Sequence, residues 1–398
     1  MQRRDFLKVS LAASAVALTT TASAGITTQP INSRERSKVA FPEKRPLITY
    51  SDRPPILETP RDAFTKALTP NDEFFVRWHS PKIPTHTYIS TYRINVNGHV
   101  KTPLSLSLND LKNNYEQVEI TAVLQCGGNS RSAFKPTTSG IQWGSGAMGC
   151  ASWKGVRLKD VLKSAGIKDD AKWIGLNGDD KPIIDTMPSF VRELELHEVK
   201  DDVIIAYEMN GEELPFLNGY PVRLIVPGCY SDSWVKMLSN ITVSKEYKEL
   251  YYMDTAYRVP DNDCECEEPE RLSDKTKPIT TMNVKSYIGY PTDNTQIPAN
   301  TNVVAKGVAF DSGSGIKEVQ ISVNGGKTWT LAELENELSP HAFRVFKFAF
   351  RPKDKGKITI MAKAINRLGE EQPFAKDIKW NHGGYKYNGI DSVTISVV

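Results

Sequence analysis

The sequence predicts an α+β domain followed by an all-β domain. Its 398 residues exceed the roughly 100 to 200 residues of one ordinary domain, so two or three domains are expected. Up to about residue 260, short β-rich runs such as Val118 to Leu124 are mixed with helical patches such as Leu158 to Leu162. From about residue 275, alternating strand patterns are separated by turn signals, which favours a β-sandwich of immunoglobulin-like type.

The composition is typical of a soluble globular protein, with 39% hydrophobic and 24% charged residues. The formal net charge is +3, and removal of the first 24 residues, which carry Arg3, Arg4 and Lys8 against Asp5, would leave +1. Bulk charge therefore gives no reason to expect nucleic acid or an anionic membrane as a partner.

Residues 1–24 predict a cleaved export signal. A pair of arginines opens the run RRDFLK at residues 3–8, an apolar stretch covers residues 9–18, and an A-x-A cleavage site lies at residues 22–24. The apolar stretch is well short of the roughly 20 residues that span a bilayer. The layout resembles a twin-arginine signal, which predicts a periplasmic protein without a membrane span after cleavage. The alternatives are a basic N-terminus and an uncleaved anchor.

The cysteines are Cys126, Cys150, Cys229, Cys264 and Cys266. Because their number is odd, at least one of them is free, intermolecular or a ligand in an exported protein. No C-x-x-C-H run occurs, so we expect no conventional covalent haem in this chain, and no paired C-x-x-C motif predicts a zinc module. Cys264 and Cys266 lie too close in sequence to form a mutual disulfide easily.

Changes in composition divide the chain after the signal. Residues 25–60, rich in Pro, Arg and Thr, predict an irregular arm, and residues 61–262 form the predicted α+β domain. The acidic stretch 261–270 is typical of a linker. Residues 275–398 form the predicted immunoglobulin-like domain.

Cys126 lies in the motif with the strongest chemical signal, LQCGGNSR at residues 124–131. The cysteine leaves a buried strand and enters a Gly-Gly turn, which allows close approach of a bulky ligand. Arg131 could stabilise its thiolate, and thiolates are soft ligands for transition metals. The alternative is a buried cysteine that packs as a small hydrophobic residue.

Two further blocks carry cations beside polar or aromatic residues. FFVRWH at residues 74–79 places an arginine, an indole and an imidazole together, which suits an anionic group. NGYPVR at residues 218–223 precedes WVK at residues 234–236, and this pattern is typical of a phosphate cradle. Each block taken alone is also compatible with ordinary structural or surface residues.

Together, the three blocks resemble the sulfite oxidase family of molybdenum enzymes over roughly residues 60 to 398. The resemblance implies a mixed α+β molybdopterin-binding catalytic domain at residues 61–262 and an immunoglobulin-like, dimerisation-type domain at residues 275–398. It implies a molybdenum–molybdopterin cofactor, a pyranopterin dithiolene, with Cys126 as the metal ligand of the protein. By the same resemblance, the cofactor-binding residues are Phe75, Arg77, His79, Cys126, Asp179 or its neighbour Asp180, Asn218, Arg223, Trp234, Val235 and Lys236.

The resemblance also implies oxidation of sulfite to sulfate by oxygen-atom transfer. The family-matching catalytic residues are Arg77, Arg131, Trp143 and Tyr257, and Arg344 is a further candidate from the second domain. Arginine forks bind oxyanions at two points, and a phenol can donate one more hydrogen bond. The resemblance implies that electrons pass singly to a separate c-type cytochrome, either a bound haem subunit or a transient partner. It also implies either a homodimer or a heterodimer with a haem subunit.

Two other functions are compatible with parts of the sequence. The first is an exported molybdenum-dependent reductase of S-oxides such as methionine sulfoxide, a branch that usually lacks the second domain and the arginine cluster. The second is a cofactor-free exported binding protein with an immunoglobulin-like module.

Overall fold

A computed structural model describes residues 38, 39, 41 and 43–398. The predicted signal at residues 1–24 lies outside the described residues. In the described part of the chain, no helix is long and apolar enough to span a membrane.

The first part of the described chain contains most of the short sheets and the α-helices. Its strands are β1 (Lys38–Val39), β2 (Leu47–Asp52), β3 (Pro55–Glu58), β4 (Val76–Arg77), β5 (Ile94–Gly98), β6 (Leu104–Leu106), β7 (Gln117–Gln125), β8 (Met148–Arg157), β9 (Trp173–Gly178), β10 (Val191–Glu195), β11 (Ile204–Met209), β12 (Glu212–Glu213), β13 (Arg223–Ile225), β14 (Leu238–Ser244), β15 (Arg258–Pro260) and β16 (Thr276–Pro278). Its helices are α1 (Leu108–Asn114), α2 (Leu158–Ala165) and α3 (Tyr251–Asp254). Short 3-10 helices cover Arg61–Ala63, Arg131–Ala133, Leu196–Glu198, Phe216–Asn218 and Ser231–Ser233.

These strands form three larger sheets and one two-stranded ladder. The sheet orders are β1-β2-β3-β4, β10-β9-β14-β5-β6 and β12-β11-β8-β7, with β13 paired to β11, and β15 pairs with β16. Strands β14 and β5 run parallel, and the other pairs are antiparallel. This mixture of sheets and helices confirms the α+β class predicted for the first domain.

Helix α2 shows how the local sequence positions an element. Leu158, Val161, Leu162 and Ala165 are buried, and their spacing places them on one face of a helix. Gly166 follows with a φ of +66°, a left-handed conformation that glycine adopts without steric cost and that ends the helix. The helix therefore packs one apolar face inward and ends at Gly166.

The second domain is a β-sandwich, which confirms the all-β class predicted for it. The immunoglobulin-like type stays a prediction. Its strands are β17 (Lys285–Tyr290), β18 (Gln296–Ile297), β19 (Val303–Phe310), β20 (Ile316–Ser322), β21 (Thr330–Leu331), β22 (Glu333–Leu334), β23 (Arg344–Phe350), β24 (Gly356–Asn366) and β25 (Asp391–Val397), and a 3-10 helix covers Ala375–Asp377. The sheet orders are β17-β19-β23-β22 and β18-β25-β24-β20-β21. Alternate residues of β24, including Ile360, Ala362 and Ala364, point into an apolar core between the sheets.

Polar and apolar contacts join the two domains. Arg61 donates from Nη1 and Nη2 to the carboxylate of Asp391 at 2.8 and 3.1 Å, a two-point ion pair between the first domain and the sandwich. Phe64 packs edge-on against Tyr287 with ring centres 5.3 Å apart. The buried Lys285 of β17 donates to the hydroxyl of Ser130 at 2.7 Å. The sandwich therefore packs directly beside the Cys126 motif.

Three expectations about irregular segments need correction. The prediction of an irregular arm at 25–60 is wrong where strands β1, β2 and β3 lie, because these strands form a sheet with β4. The acidic stretch 261–270 is more than a linker, because the backbone N–H of Glu267 donates to the carbonyl of Trp380 at 2.9 Å. Cys264 and Cys266 form a disulfide, so the expectation that they would not pair is wrong.

Candidate active site

Strand β7 delivers Cys126 to the end of a buried sheet. Its last residues are buried, and the backbone N–H of Cys126 donates to the carbonyl of Ala147 at 2.9 Å. Asn129 closes the following turn, since its N–H donates to the carbonyl of Cys126 and its Oδ1 accepts from the N–H of Ala147. The thiol is held by rigid backbone, is 6% exposed and forms no disulfide.

The thiol of Cys126 opens into a cavity lined by eight of the residues predicted to bind cofactor or substrate. These residues are Phe75, Arg77, His79, Cys126, Asn218, Arg223, Lys236 and Tyr257. They come from segments that are distant in sequence, so the fold brings the three predicted blocks together.

Two cations that line this cavity, Arg223 and Lys236, form no ion pair with a carboxylate among the described residues. Arg223 is 3% exposed, donates to the carbonyls of Asn218 and Trp234 at 2.8 and 3.1 Å, and keeps Nε without a partner in the described residues. Lys236 donates from Nζ to the carbonyl of Arg77 at 2.8 Å. A buried arginine next to a half-buried lysine, neither of them in an ion pair within the described part of the chain, is typical of a site for an anion.

The pKa values of these cations reflect the missing counter-charge. Burial lowers the pKa of Arg223 to about 9. Burial, and then the charge of Arg223, lower the pKa of Lys236 to about 7, although Asp180 acts in the opposite direction. A bound anion would raise both pKa values again, because an opposite charge favours the ionised form of each side chain.

Asn218 lines the cavity beside these cations and is hydrogen-bonded to three parts of the protein. Its Oδ1 accepts from Nζ of Lys44 at 2.5 Å, and its Nδ2 donates to the carbonyl of Phe75 at 3.0 Å. Its own carbonyl accepts from Arg223. The side chain of Asn218 therefore orients neighbours of the cavity that it lines.

Asp179, Trp234 and Val235 line neither this cavity nor the cleft beside it. Trp234 is buried and takes part through its carbonyl, which accepts from Arg223. The backbone N–H of Asp179 donates to Met237, whereas the neighbouring Asp180 is the buried carboxylate that acts on Lys236. The alternative prediction, Asp180, therefore has the closer electrostatic link to the cations.

A wider cleft of about 580 Å³ adjoins the cavity and contains the predicted substrate-binding residues. Arg77, His79, Cys126, Arg131, Trp143 and Tyr257 line it. Trp143 is fully buried, and its Nε1 donor finds no acceptor among the described residues. A buried indole N–H without an acceptor fits a site that an anionic ligand completes. Arg344 is not brought here, because it donates to carbonyls of Glu335 and Ile316 within the sandwich.

His79 and Tyr257 form a hydrogen-bonded pair between cavity and cleft, through Nε2 and the phenol oxygen. The imidazole stacks on Phe190 with ring centres 4.0 Å apart. Burial and the charges of Arg77, Lys236 and Arg192 hold the pKa of His79 well below its usual value, so its ring is neutral. Burial is also the main reason that the pKa of Tyr257 is well above 10.0. The pair therefore offers neutral polar groups beside the cations.

Sequence reasoning missed an ion pair and a tyrosine at this site. Arg192 and Asp232 are both buried, and Nη2 lies 2.5 Å from Oδ2. Arg192 also lies 5.5 Å from the ring centre of Tyr257. Tyr385 of the second domain stacks on Tyr257 with ring centres 5.5 Å apart. No motif marks these residues in the sequence, although Asp232 precedes the predicted WVK block and could have been considered.

Two family models match the chain. The oxidoreductase molybdopterin binding domain matches residues 79–252, and the Mo-co oxidoreductase dimerisation domain matches residues 276–397. The first match contains Cys126 and most of the cavity. The second covers the sandwich, including Tyr385.

Known proteins are similar over most of the chain. Mitochondrial sulfite oxidase of Rattus norvegicus is 32% identical over 373 residues, which are 90% of this chain and 67% of that protein. Sulfite oxidase of Gallus gallus is 31% identical over 361 residues, which are 86% of this chain and 76% of that protein. Among solved structures, the sulfane dehydrogenase SoxCD of Paracoccus pantotrophus matches with a TM-score of 0.76 and 25% identity, covering 98% of each chain.

Proposed function

Because the chain belongs to the sulfite oxidase family of molybdenum oxidoreductases, we propose that it oxidises sulfite to sulfate in the periplasm and passes the electrons singly to a separate c-type cytochrome. The family assignment brings with it a molybdenum–molybdopterin cofactor. The observation that carries the proposal is the position of Cys126, which lies where the cationic cavity meets the cleft.

The residues present fit the cofactor. Molybdopterin carries a phosphate, and the cavity offers Arg223 with an unpartnered Nε together with Lys236, whose charge lacks a carboxylate partner among the described residues. Phosphate binding sites commonly use such cations. The single thiol of Cys126 suits a soft metal whose other sulfur ligands come from the pterin dithiolene.

Each residue at the cavity then has a defined task. Cys126 would supply the thiolate to molybdenum, and Arg223 and Lys236 would hold the phosphate. Lys44 and Asn218 would keep Arg223 in place through the hydrogen bonds described above. The bound molybdenum centre supplies the oxygen-atom transfer chemistry. The chain binds, orients and shields the reactants.

The cleft supplies a pocket for a small dianion. Arg77 and Arg131 would bind sulfite oxygens, and Nε1 of Trp143 would donate one further hydrogen bond. Charge-assisted hydrogen bonds contribute about 1.5 to 3 kcal/mol each, so two arginines are enough for selective binding of a dianion. The hydroxyl of Tyr257 is hydrogen-bonded to Nε2 of His79. It would donate a hydrogen bond to sulfite only in the tautomer in which Nε2 of His79 is the donor of that bond.

The leader sequence supports the proposed periplasmic location, and the chemistry of the reaction supports the proposed electron acceptor. The RRDFLK run of the leader supports export by the twin-arginine route. Sulfite oxidation releases an electron pair, whereas a haem accepts one electron at a time, so a c-type cytochrome would be reduced in separate steps. The match of residues 276–397 to a dimerisation domain supports a homodimer.

Sulfane oxidation is a second candidate function. The structural match to a sulfane dehydrogenase covers 98% of the chain, and the cleft of about 580 Å³ has room for a group larger than sulfite. In that case Arg131 would bind an anionic end of the substrate, and the same cavity would hold the cofactor.

A parallel assay separates these candidates. Molybdenum-loaded protein is given sulfite or a persulfide at equal concentration, and sulfate formation and cytochrome c reduction are measured for each. We expect rapid turnover of sulfite. Turnover of the persulfide alone would favour sulfane oxidation, and turnover of neither by protein with equimolar molybdenum would contradict both functions. Protein that takes up no molybdenum in a molybdenum-replete host would instead support a cofactor-free binding protein.

A further inference from the structure

A turn of the second domain holds the guanidinium of Arg131 in the cleft. Arg131 is 7% exposed, and it donates from Nε to the carbonyl of Gly383 at 3.0 Å and from Nη1 to the carbonyl of Ile141 at 3.1 Å. Both acceptors are neutral, and no ion pair to Arg131 is found among the described residues. The charge of Arg131 is therefore fixed in position and is still available to an anion.

Glycines from three segments surround this guanidinium too closely to allow side chains. A Cβ atom at Gly128 would lie 2.4 Å from Nη2, and one at Gly140 would lie 2.9 Å from Nη1. A Cβ atom at Gly384 would lie 2.2 Å from Oγ1 of Thr138 and 2.7 Å from Cγ of Arg131. Real Cβ atoms do not approach heavy atoms below about 3 Å, since close packing has no space to spare. A side chain at any of these positions would therefore displace Arg131.

The turn that carries Gly384 is itself rigid. The side chain of Asn381 bridges it, with Oδ1 accepting from the N–H of Tyr385 and Nδ2 donating to the carbonyl of Tyr385, both at 3.0 Å. Gly384 has a φ of +56°, a conformation that favours glycine. Tyr385 then places its ring 5.1 Å from the guanidinium carbon of Arg131 and stacks on Tyr257. One turn of the second domain thus contacts both residues.

We propose that Gly384 is a positioning residue for the anionic substrate, because the absence of its side chain lets the second domain clamp Arg131 in the orientation that faces the cleft. This proposal adds a positioning residue to the proposed function, and it rests on that function for the identity of the substrate. Arg131 is the group that touches the anion. Gly384 acts only through Arg131.

The test compares Gly384→Ala with the matched control Gly325→Ala in molybdenum-loaded protein. Gly325 lies in the same domain at a similar φ of +68°, but a Cβ atom there would meet nothing within 4 Å. Both variants carry the cost of alanine at positive φ, and only the first one displaces Arg131, together with its neighbour Thr138. The measurements are the dissociation constant of inorganic sulfate by calorimetry, the sulfite KM and kcat, and the molybdenum content.

We expect Gly384→Ala to raise the sulfate dissociation constant and the sulfite KM by about tenfold or more, as for loss of one charge-assisted hydrogen bond. Its kcat and molybdenum content should stay within about twofold of the wild type, since ground-state binding is what changes. Gly325→Ala should change neither constant. Equal anion affinity in the two variants would overturn the proposal.

Two further outcomes are decisive. If Gly384→Ala does not fold, Gly140→Ala carries the same test from the first domain, where the added Cβ meets Nη1 of Arg131. If the wild type binds sulfate but does not oxidise sulfite, the proposed function is wrong. The sulfate dissociation constants of Gly384→Ala and Gly325→Ala still show whether Gly384 positions Arg131. A wild type that does not bind sulfate would overturn the clamp itself.

Discussion

Nζ of Lys44 lies 2.5 Å from Oδ1 of Asn218, although 174 positions separate them in the chain. Lys44 is 6% exposed, and its second acceptor is the carbonyl of Asn71 at 2.5 Å. Burial lowers the pKa of Lys44 to about 7. A lysine of the N-terminal arm thus fixes the residue whose carbonyl holds Arg223, and the arm contributes to the cofactor cavity.

Substitution of Lys44 should therefore weaken cofactor retention. Lys44→Met leaves the amide oxygen of Asn218 buried without a donor, a cost of about 1 to 3 kcal/mol, so we expect about tenfold weaker cofactor binding. The measurement is molybdenum and pterin content after dialysis. Lys66→Met, at an exposed lysine, is the control. Equal cofactor retention in both variants would show that Asn218 does not need Lys44.

Arg77 should act on sulfite more than on the cofactor. Arg77→Gln removes one charged donor from the cleft, and we expect the sulfite KM to rise by about 10- to 100-fold. The molybdenum content should change far less. Arg157→Gln removes an arginine whose partner is the exposed Glu116 and serves as the control. Unchanged kinetics in Arg77→Gln would remove this residue from the substrate site.

The ion pair between Arg61 and Asp391 should stabilise the contact between the domains. Breaking a partly buried two-point pair leaves one charge without its partner, so Asp391→Ala should lower the free energy of unfolding by about 2 to 3 kcal/mol. The measurement is urea denaturation of both single variants and the Arg61→Ala, Asp391→Ala double variant. If the two single losses simply add in the double variant, the pair contributes no coupling energy.

Lys285 should make stability depend on pH. Burial lowers its pKa from 10.5 to about 7, so between these values the unfolded chain binds more protons than the folded one. The contribution of Lys285 to the free energy of unfolding therefore increases as the pH rises from about 7 to 10.5. The slope is up to about 1.4 kcal/mol per pH unit. Lys285→Met should show a shallower rise in urea titrations from pH 7 to 9. An unchanged slope would contradict a neutral buried lysine.

The parts of the site that sequence could predict are those where the chemistry lies in one short motif. Cys126 leaves a buried strand and enters a Gly-Gly turn, and the fold places it as predicted. Arg77 and Arg223 belong to blocks whose order resembles a known family, and both line the cavity. Neither the fold class nor these positions required knowledge of long-range contacts.

The rest depends on contacts between distant segments. Lys44 reaches Asn218 because β2 and β3 carry the arm onto the site, and no local pattern signals that pairing. Tyr385 enters the site because the sandwich packs beside the Cys126 motif. Sequence spacing alone does not predict the disulfide between Cys264 and Cys266, because the local backbone decides whether two such cysteines can pair.

Rapid mixing of sulfite with molybdenum-loaded protein and a c-type cytochrome determines whether the sulfur of Cys126 holds the metal that oxidises sulfite. Cys126→Ser is compared with Cys229→Ser, a half-buried free cysteine outside the cavity. We predict that the wild type and Cys229→Ser form sulfate and reduce the cytochrome, whereas Cys126→Ser keeps its fold but loses both activities and the thiolate-to-metal absorption. Substantial sulfite oxidation by Cys126→Ser would show that this sulfur is not a required ligand of the catalytic metal.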